Sequence, residues 1–209
     1  MRALALAGAV PVTAAQRRLR VIQVLGSMHI GGAENAVVHL ARGLDRDRFE
    51  VAVCCTRERG LLAEQVASEG IEVVLSAPKG RATRYLTPLT LWRTLRQLRA
   101  DVVHTHGTPS LLHAGPLRAI GALPPWVHTY HYGNYPLPSA RHMRGERLLS
   151  GLANQLVAVA EPQRESLIRC HGLAPERLLT IHNGVSVNPF LDRPEVRARL
   201  RAELGVAAD

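Results

Sequence analysis

Short apolar runs alternate along this chain with stretches in which apolar residues recur at helical spacing. Arg20-Val21-Ile22-Gln23-Val24-Leu25 is one such run, rich in β-branched residues, and it predicts a buried strand. A glycine-bearing loop, Gly26 to Gly32, breaks it. Ala36, Val37, Leu40, Ala41 and Leu44 then share one face of a helix. The pattern predicts further strands over 49–55, 71–75, 101–106, 126–131, 154–160 and 178–181. Between them it predicts helices over 61–69, 88–99, 111–120, 139–152 and 162–170. In the helix over 88–99, Leu91, Leu95 and Leu98 face inward and Arg93, Arg96 and Arg99 outward. Apolar strands separated by amphipathic helices mean an α/β fold: a doubly wound, mostly parallel sheet of about seven strands with helices on both faces.

In sheets of this kind ligands bind beyond the carboxyl ends of the strands. The informative polar residues fall there. Gly31 and Gly32 follow the first strand, His104 and His106 close the fourth, His131 closes the fifth, Glu161 follows the sixth and Asn183-Gly184 the seventh. Gly31-Gly32 stands directly before a helix, whose free amides and partial positive charge suit a phosphate. The loop lacks the G-x-G-x-x-G spacing of a dinucleotide site. Gly26 and Gly31 have P-loop spacing, but Gly32 and Ala33 replace its lysine and hydroxyl, which excludes that phosphate and magnesium chemistry. His104, His106 and His131 raise the question of zinc, but no carboxylate or cysteine completes a ligand set.

Composition narrows the picture further. The chain has 209 residues, 46% of them hydrophobic and 4% aromatic, so its core is aliphatic. The net charge is +9, carried by 26 Lys+Arg that are nearly all arginine. That favours anionic partners such as phosphates or a lipid surface. No basic-aromatic module points to nucleic acid. The vicinal pair Cys54-Cys55 and the odd Cys170 suit a reducing compartment and argue against a disulfide framework. No run of 18 apolar residues predicts a membrane span. Residues 1–18 are read as a leader or an upstream start, outside the fold.

The loop GGAE, the strand DVVHTH, the strand WVHTYHYGN, the segment LVAVAE and the closing IHNGV occur in order. Together they resemble the N-terminal half of a retaining glycosyltransferase of family 4 with the GT-B fold, over residues 19–209. The resemblance implies a Rossmann-like acceptor-side domain over 19–190. It also implies a linker and helix over 191–209 that lead to a C-terminal donor domain absent from this sequence. The implied partners are a nucleotide-sugar donor and a glycan or lipid-linked acceptor, in the cytoplasm or at the inner face of the membrane. No cofactor or metal is expected. Carried over by motif, Gly31 and Gly32 approach the donor diphosphate, and His131 is the active-site histidine that holds the transferred sugar or acceptor. His106, Tyr132, Asn134, Glu161 and Asn183 are expected to line the cleft. Two positions depart from the pattern: Ala160 stands where the family often has serine, and Ser186 where it often has aspartate. Arg141, Arg144 and Arg147 recur every third residue and are expected to form a cationic stripe toward an anionic membrane. The rival reading is a non-catalytic phosphate- or nucleotide-binding regulatory module.

Overall fold

The structure is a computed structural model that describes residues 17–78, 85–133, 135, 139–185 and 193–207. Seven strands form one sheet: β1 (Leu19–Leu25), β2 (Phe49–Cys55), β3 (Glu72–Leu75), β4 (Val102–His106), β5 (Trp126–Tyr130), β6 (Gln155–Ala158) and β7 (Leu178–Thr180). Their order is β3-β2-β1-β4-β5-β6-β7, and every pairing is parallel rather than most of them. The order reverses between β1 and β4, where such sheets open a crevice at their carboxyl edge. The connecting helices are α1 (Gly32–Gly43), α2 (Leu61–Ser68), α3 (Thr87–Gln97), α4 (Gly107–Ala119), α5 (Ala140–Ser150) and α6 (Glu161–His171). A last helix, α7 (Pro194–Leu204), has no buried residue.

Strand alternation divides the core in two. Ile22, Val24, Ala52, Cys54, Val103, Trp126, Tyr130 and Leu156 point to one side and pack with Leu91 and Leu95 of α3, Leu98 that caps it, Leu111 of α4 and Leu167 of α6. Leu25, Val51, Val53, Cys55 and Val73 point to the other and pack with α1 and α2. Among the described residues that second layer covers β1 to β3 only. Leu40, expected in the buried stripe of α1, is 40% exposed because it lies at the margin of that layer, facing the uncovered strands.

α4 begins at Gly107 and not at 111, because Gly107 at φ +71° turns the chain straight from β4 into the helix. Pro109 fits the first turn, where an amide is unpartnered in any case. Gly115 also has a packing reason: a Cβ there would meet the side chain of Leu149 at 2.7 Å. Reciprocally, a Cβ on Gly145 would meet Leu112 at 2.7 Å, so α4 and α5 pack glycine against leucine twice. α5 carries the three expected arginines, yet its buried residues are Glu146 and Ser150, neither with exposed surface. Glu146 accepts from Thr108 of α4 and from the Tyr135 hydroxyl at 3.1 Å, and lies 3.1 Å from His171 Nε2 of α6.

At the other end, Arg17 pairs with Asp101 and Arg18 reaches the carbonyl of Arg46, so the last two residues of the expected leader touch the domain. No helix among the described residues is long and apolar enough to cross a membrane.

Candidate functional site

The carboxyl ends of β4 and β5 carry a cluster of imidazoles. Register pairs Gln23 with His104, His104 with Val127 and His106 with Thr129, so these side chains share one face. His131 lies one residue beyond the end of β5 and continues that parity. His128 has the opposite parity and is buried between Trp126 and Tyr130. The period-two reading of DVVHTH therefore holds: the rings of His104 and His106 stand 4.2 Å apart. His104 Nε2 lies 2.8 Å from Thr129 Oγ1. His106 Nε2 lies 2.7 Å from Gln23 Oε1, and His106 Nδ1 lies 2.9 Å from His131 Nε2.

Burial removes water from these rings and disfavours their charged form. It pushes His104 and His131 down to about 4, and His106 and His128 well below the ordinary histidine range. At neutral pH the cluster is uncharged. His131 is thus a neutral hydrogen-bonding group rather than a proton donor of the imidazolium kind. Among the described residues no group of three His, Cys, Asp or Glu is arranged to hold a metal ion.

Two cavities meet at His131. One is an apolar groove of about 390 Å³ over the uncovered face of the sheet, with Val127, Val157 and Ile181 in its wall and His182, Asn183 and Gly184 at its end. The other, about 520 Å³, lies between Gly107, Thr108, Tyr132, Ser139 and His142. Gly107 opens α4, and Ser139 caps α5 by accepting from the amide of His142, so two helix N-termini border this second cavity. Their partial positive charge suits a polyhydroxylated or anionic ligand. Among the described residues, His131 alone lines both.

The other expected residues separate. Tyr132 lines the second cavity and Asn183 the groove, whereas Asn134 lies outside the described residues. His106 is 3% exposed and lines neither cavity; it stands behind His131 because both of its nitrogens are bonded inside the sheet. Glu161 is the first residue of α6 and bonds Thr180 and Arg164, away from both cavities. Gly31 caps α1 in extended backbone and Gly32 opens it, at the carboxyl edge but in neither cavity wall. A Cβ on Gly32 would meet nothing within 4 Å. Arg141, Arg144 and Arg147 are all exposed on α5, beside Leu148 at 75% exposure.

Sequence reasoning missed two glutamines. Gln23 is a lone polar residue in the apolar run of β1, 1% exposed, and that isolation was the available signal. Gln163 of α6 donates to the carbonyls of Tyr130 and Tyr132 and accepts from the amide of Val159 at 2.7 Å. It thereby clamps the backbone on both sides of His131. Nothing in its sequence neighbourhood marks it.

The model of glycosyltransferase family 4 matches residues 30–188. The chain belongs to that family. Among its relatives, the D-inositol 3-phosphate glycosyltransferase of Streptomyces bingchenggensis is 30% identical over 88% of this chain and 45% of that protein. The enzyme of the same name from Mycobacteroides abscessus is 28% identical over the same shares. This family 4 chain thus spans about half the length of the curated relatives it matches. In fold it is similar to Anabaena HepE, solved with UDP and glucose, with a TM-score of 0.71 at 20% identity over 90% of this chain and 50% of that one. A Rickettsia bellii UDP-N-acetylglucosamine 2-epimerase shares the fold at a TM-score of 0.57 and 16% identity, over 92% of this chain and 50% of that one. The Rossmann-like half of a GT-B architecture is therefore not confined to transferases, and family membership here rests on the sequence match.

Within the family pattern, Ala160 is the N-cap of α6 and makes no side-chain cap bond. A serine there would satisfy one free amide of the helix. Ser186 lies outside the described residues.

Proposed function

We propose that this family 4 chain is the acceptor-side half of a retaining glycosyltransferase that moves a sugar from a nucleotide-sugar donor to a hydroxylated acceptor. The observation that carries the reading is His131, a neutral histidine shared by two cavities at the carboxyl edge of the sheet. In this arrangement one cavity takes the acceptor, and His131 holds a hydroxyl beside the reacting bond. Positioning of that kind removes much of the entropic barrier to a two-substrate reaction. Gly32 leaves open space at the start of α1 for a diphosphate supplied with the donor, while the Glu34 carboxylate lies against Gly31. The donor sugar itself is held from a second domain, and no metal or other cofactor is called on. The chemistry belongs in the cytoplasm, with α5 resting on the inner face of the membrane through Arg141, Arg144 and Arg147. The acceptor is a glycan, a lipid-linked sugar or a polyol phosphate of the kind that names the relatives.

Chemical-shift mapping on the isotopically labelled chain tests the acceptor assignment. Inositol 3-phosphate should move resonances of His131, Tyr132 and His142, while UDP-glucose binds weakly. Tight UDP-glucose binding centred on Gly31 and Gly32, with no response to the polyol phosphate, would instead favour the regulatory nucleotide-binding module.

A further inference from the structure

The hydrogen bonds behind His131 form a directed chain. We propose that Gln23 and His106 are positioning residues that hold His131 in one neutral tautomer, protonated at Nε2 and bare at Nδ1, so that His131 meets its ligand only as an acceptor.

The direction follows from the end of the chain. Gln23 Oε1 is a carbonyl oxygen and can only accept. His106 Nε2, 2.7 Å away, must therefore carry the hydrogen. A neutral imidazole has one N–H, so His106 Nδ1 is a lone pair. His131 Nε2, 2.9 Å from that lone pair, must donate to it. His131 Nδ1 is then left without a hydrogen. It is shielded from solvent and has no hydrogen-bond partner among the described residues. The burial that keeps these rings uncharged supports the same assignment, since a charged ring would donate at both nitrogens.

Energetics favour this direction over its reverse. Running the chain backwards would leave an N–H, not a lone pair, buried and unpaired at His131 Nδ1, and orphaned buried N–H groups are the rarer defect. The bare Nδ1 still lacks a partner, and leaving a buried polar atom unsatisfied is destabilising. Because Nδ1 is shielded in the free chain, a donor reaches it only as the ring or its neighbours shift, and the hydrogen bond then made relieves that cost. With Nε2 committed to His106, Nδ1 is the only ring nitrogen free to act, and a hydroxyl is the donor a sugar or polyol offers. The residue chemistry thus selects a hydroxyl hydrogen and gives no support to a carboxylate or phosphate oxygen at this atom. The ligand class rests on the proposed function; the tautomer does not.

Long-range proton–nitrogen correlation spectra of the labelled chain at neutral pH read each imidazole nitrogen directly. Wild type should show His106 and His131 both protonated at Nε2 and bare at Nδ1. Gln23→Leu removes the terminal acceptor and should release both rings into mixed tautomers. His106→Leu should release His131 alone. The opposite tautomers in wild type would overturn the assignment even if neither variant folds. Unchanged His131 nitrogens in both variants would overturn the positioning role. Addition of inositol 3-phosphate should then shift His131 Nδ1 toward a hydrogen-bonded value. If the tautomers stand as assigned and this shift is missing, the hydroxyl claim fails while the hydrogen-bond chain survives.

Discussion

At the residue scale, the histidines make a pH prediction that the rest of the surface does not. His104 and His131 ionise at about 4 in the folded chain, against about 6.5 unfolded, and His106 and His128 lie lower still. Above 6.5 the rings are neutral in both states and stability is at its full value. As pH falls from 6.5 toward 4, the unfolded chain takes up protons that the folded chain refuses, so stability drops across that window. Asp101 and Glu161 have lowered pKa values through hydrogen bonds from Arg17 and Thr180, and they add acid sensitivity only nearer the carboxylate range. Urea melts at successive pH values should therefore show midpoints already falling between 6.5 and 5. A flat midpoint over that range would contradict the buried, neutral cluster. Most of this was readable in the chain: the two-residue spacing of His104 and His106 put them on one face. What could not be read was depth. Spacing does not say whether a strand-end histidine opens to a cavity or bonds backward, which is why His106 and His131 were both expected in the cleft, whereas His131 lines the cavities and His106 bonds behind it.

At the element scale, helix boundaries follow local chemistry that the apolar period does not report. α4 starts early because of the positive φ at Gly107, and it tolerates Gly115 because α5 packs Leu149 into the space. α6 starts on an uncapped alanine. Ala160→Ser should restore a side-chain acceptor for the first-turn amides and raise stability by about 0.5–1 kcal/mol, read as a higher urea midpoint. No gain would contradict the reading that the first-turn amides of α6 lack a side-chain acceptor. α5 carries the other element-level prediction. Its exposed Arg141, Arg144 and Arg147 should bring the chain down with anionic vesicles in a sedimentation assay, less so as salt rises. Equal partitioning onto neutral and anionic vesicles, or none onto either, would defeat the electrostatic version. The triple Arg→Gln variant should lose the difference.

On the scale of the whole molecule, the sheet order sets the functional arrangement. Reversal between β1 and β4 opens the carboxyl edge where His131 sits, and α1 and α2 leave β4 to β7 uncovered on one side. The strand–helix alternation made the fold class legible, since each apolar run and each amphipathic stripe agreed with it. The half-covered face was not legible, because a strand facing a missing layer has the same apolar pattern as a covered one. The account makes this chain one wall of a two-walled site. On the proposed function Gly31, Gly32 and His131 are its contributions, and the cationic clamp for a leaving diphosphate is expected from the other wall. Prearranged charge of that kind supplies a large share of the barrier lowering in such reactions. The most direct test is to incubate the purified chain with a panel of nucleotide-sugars and acceptors, scoring both sugar transfer and donor hydrolysis. The account predicts neither above background, with the chain folded throughout. Turnover that follows the purified chain and disappears in His131→Ala would show that one wall suffices, and would contradict it.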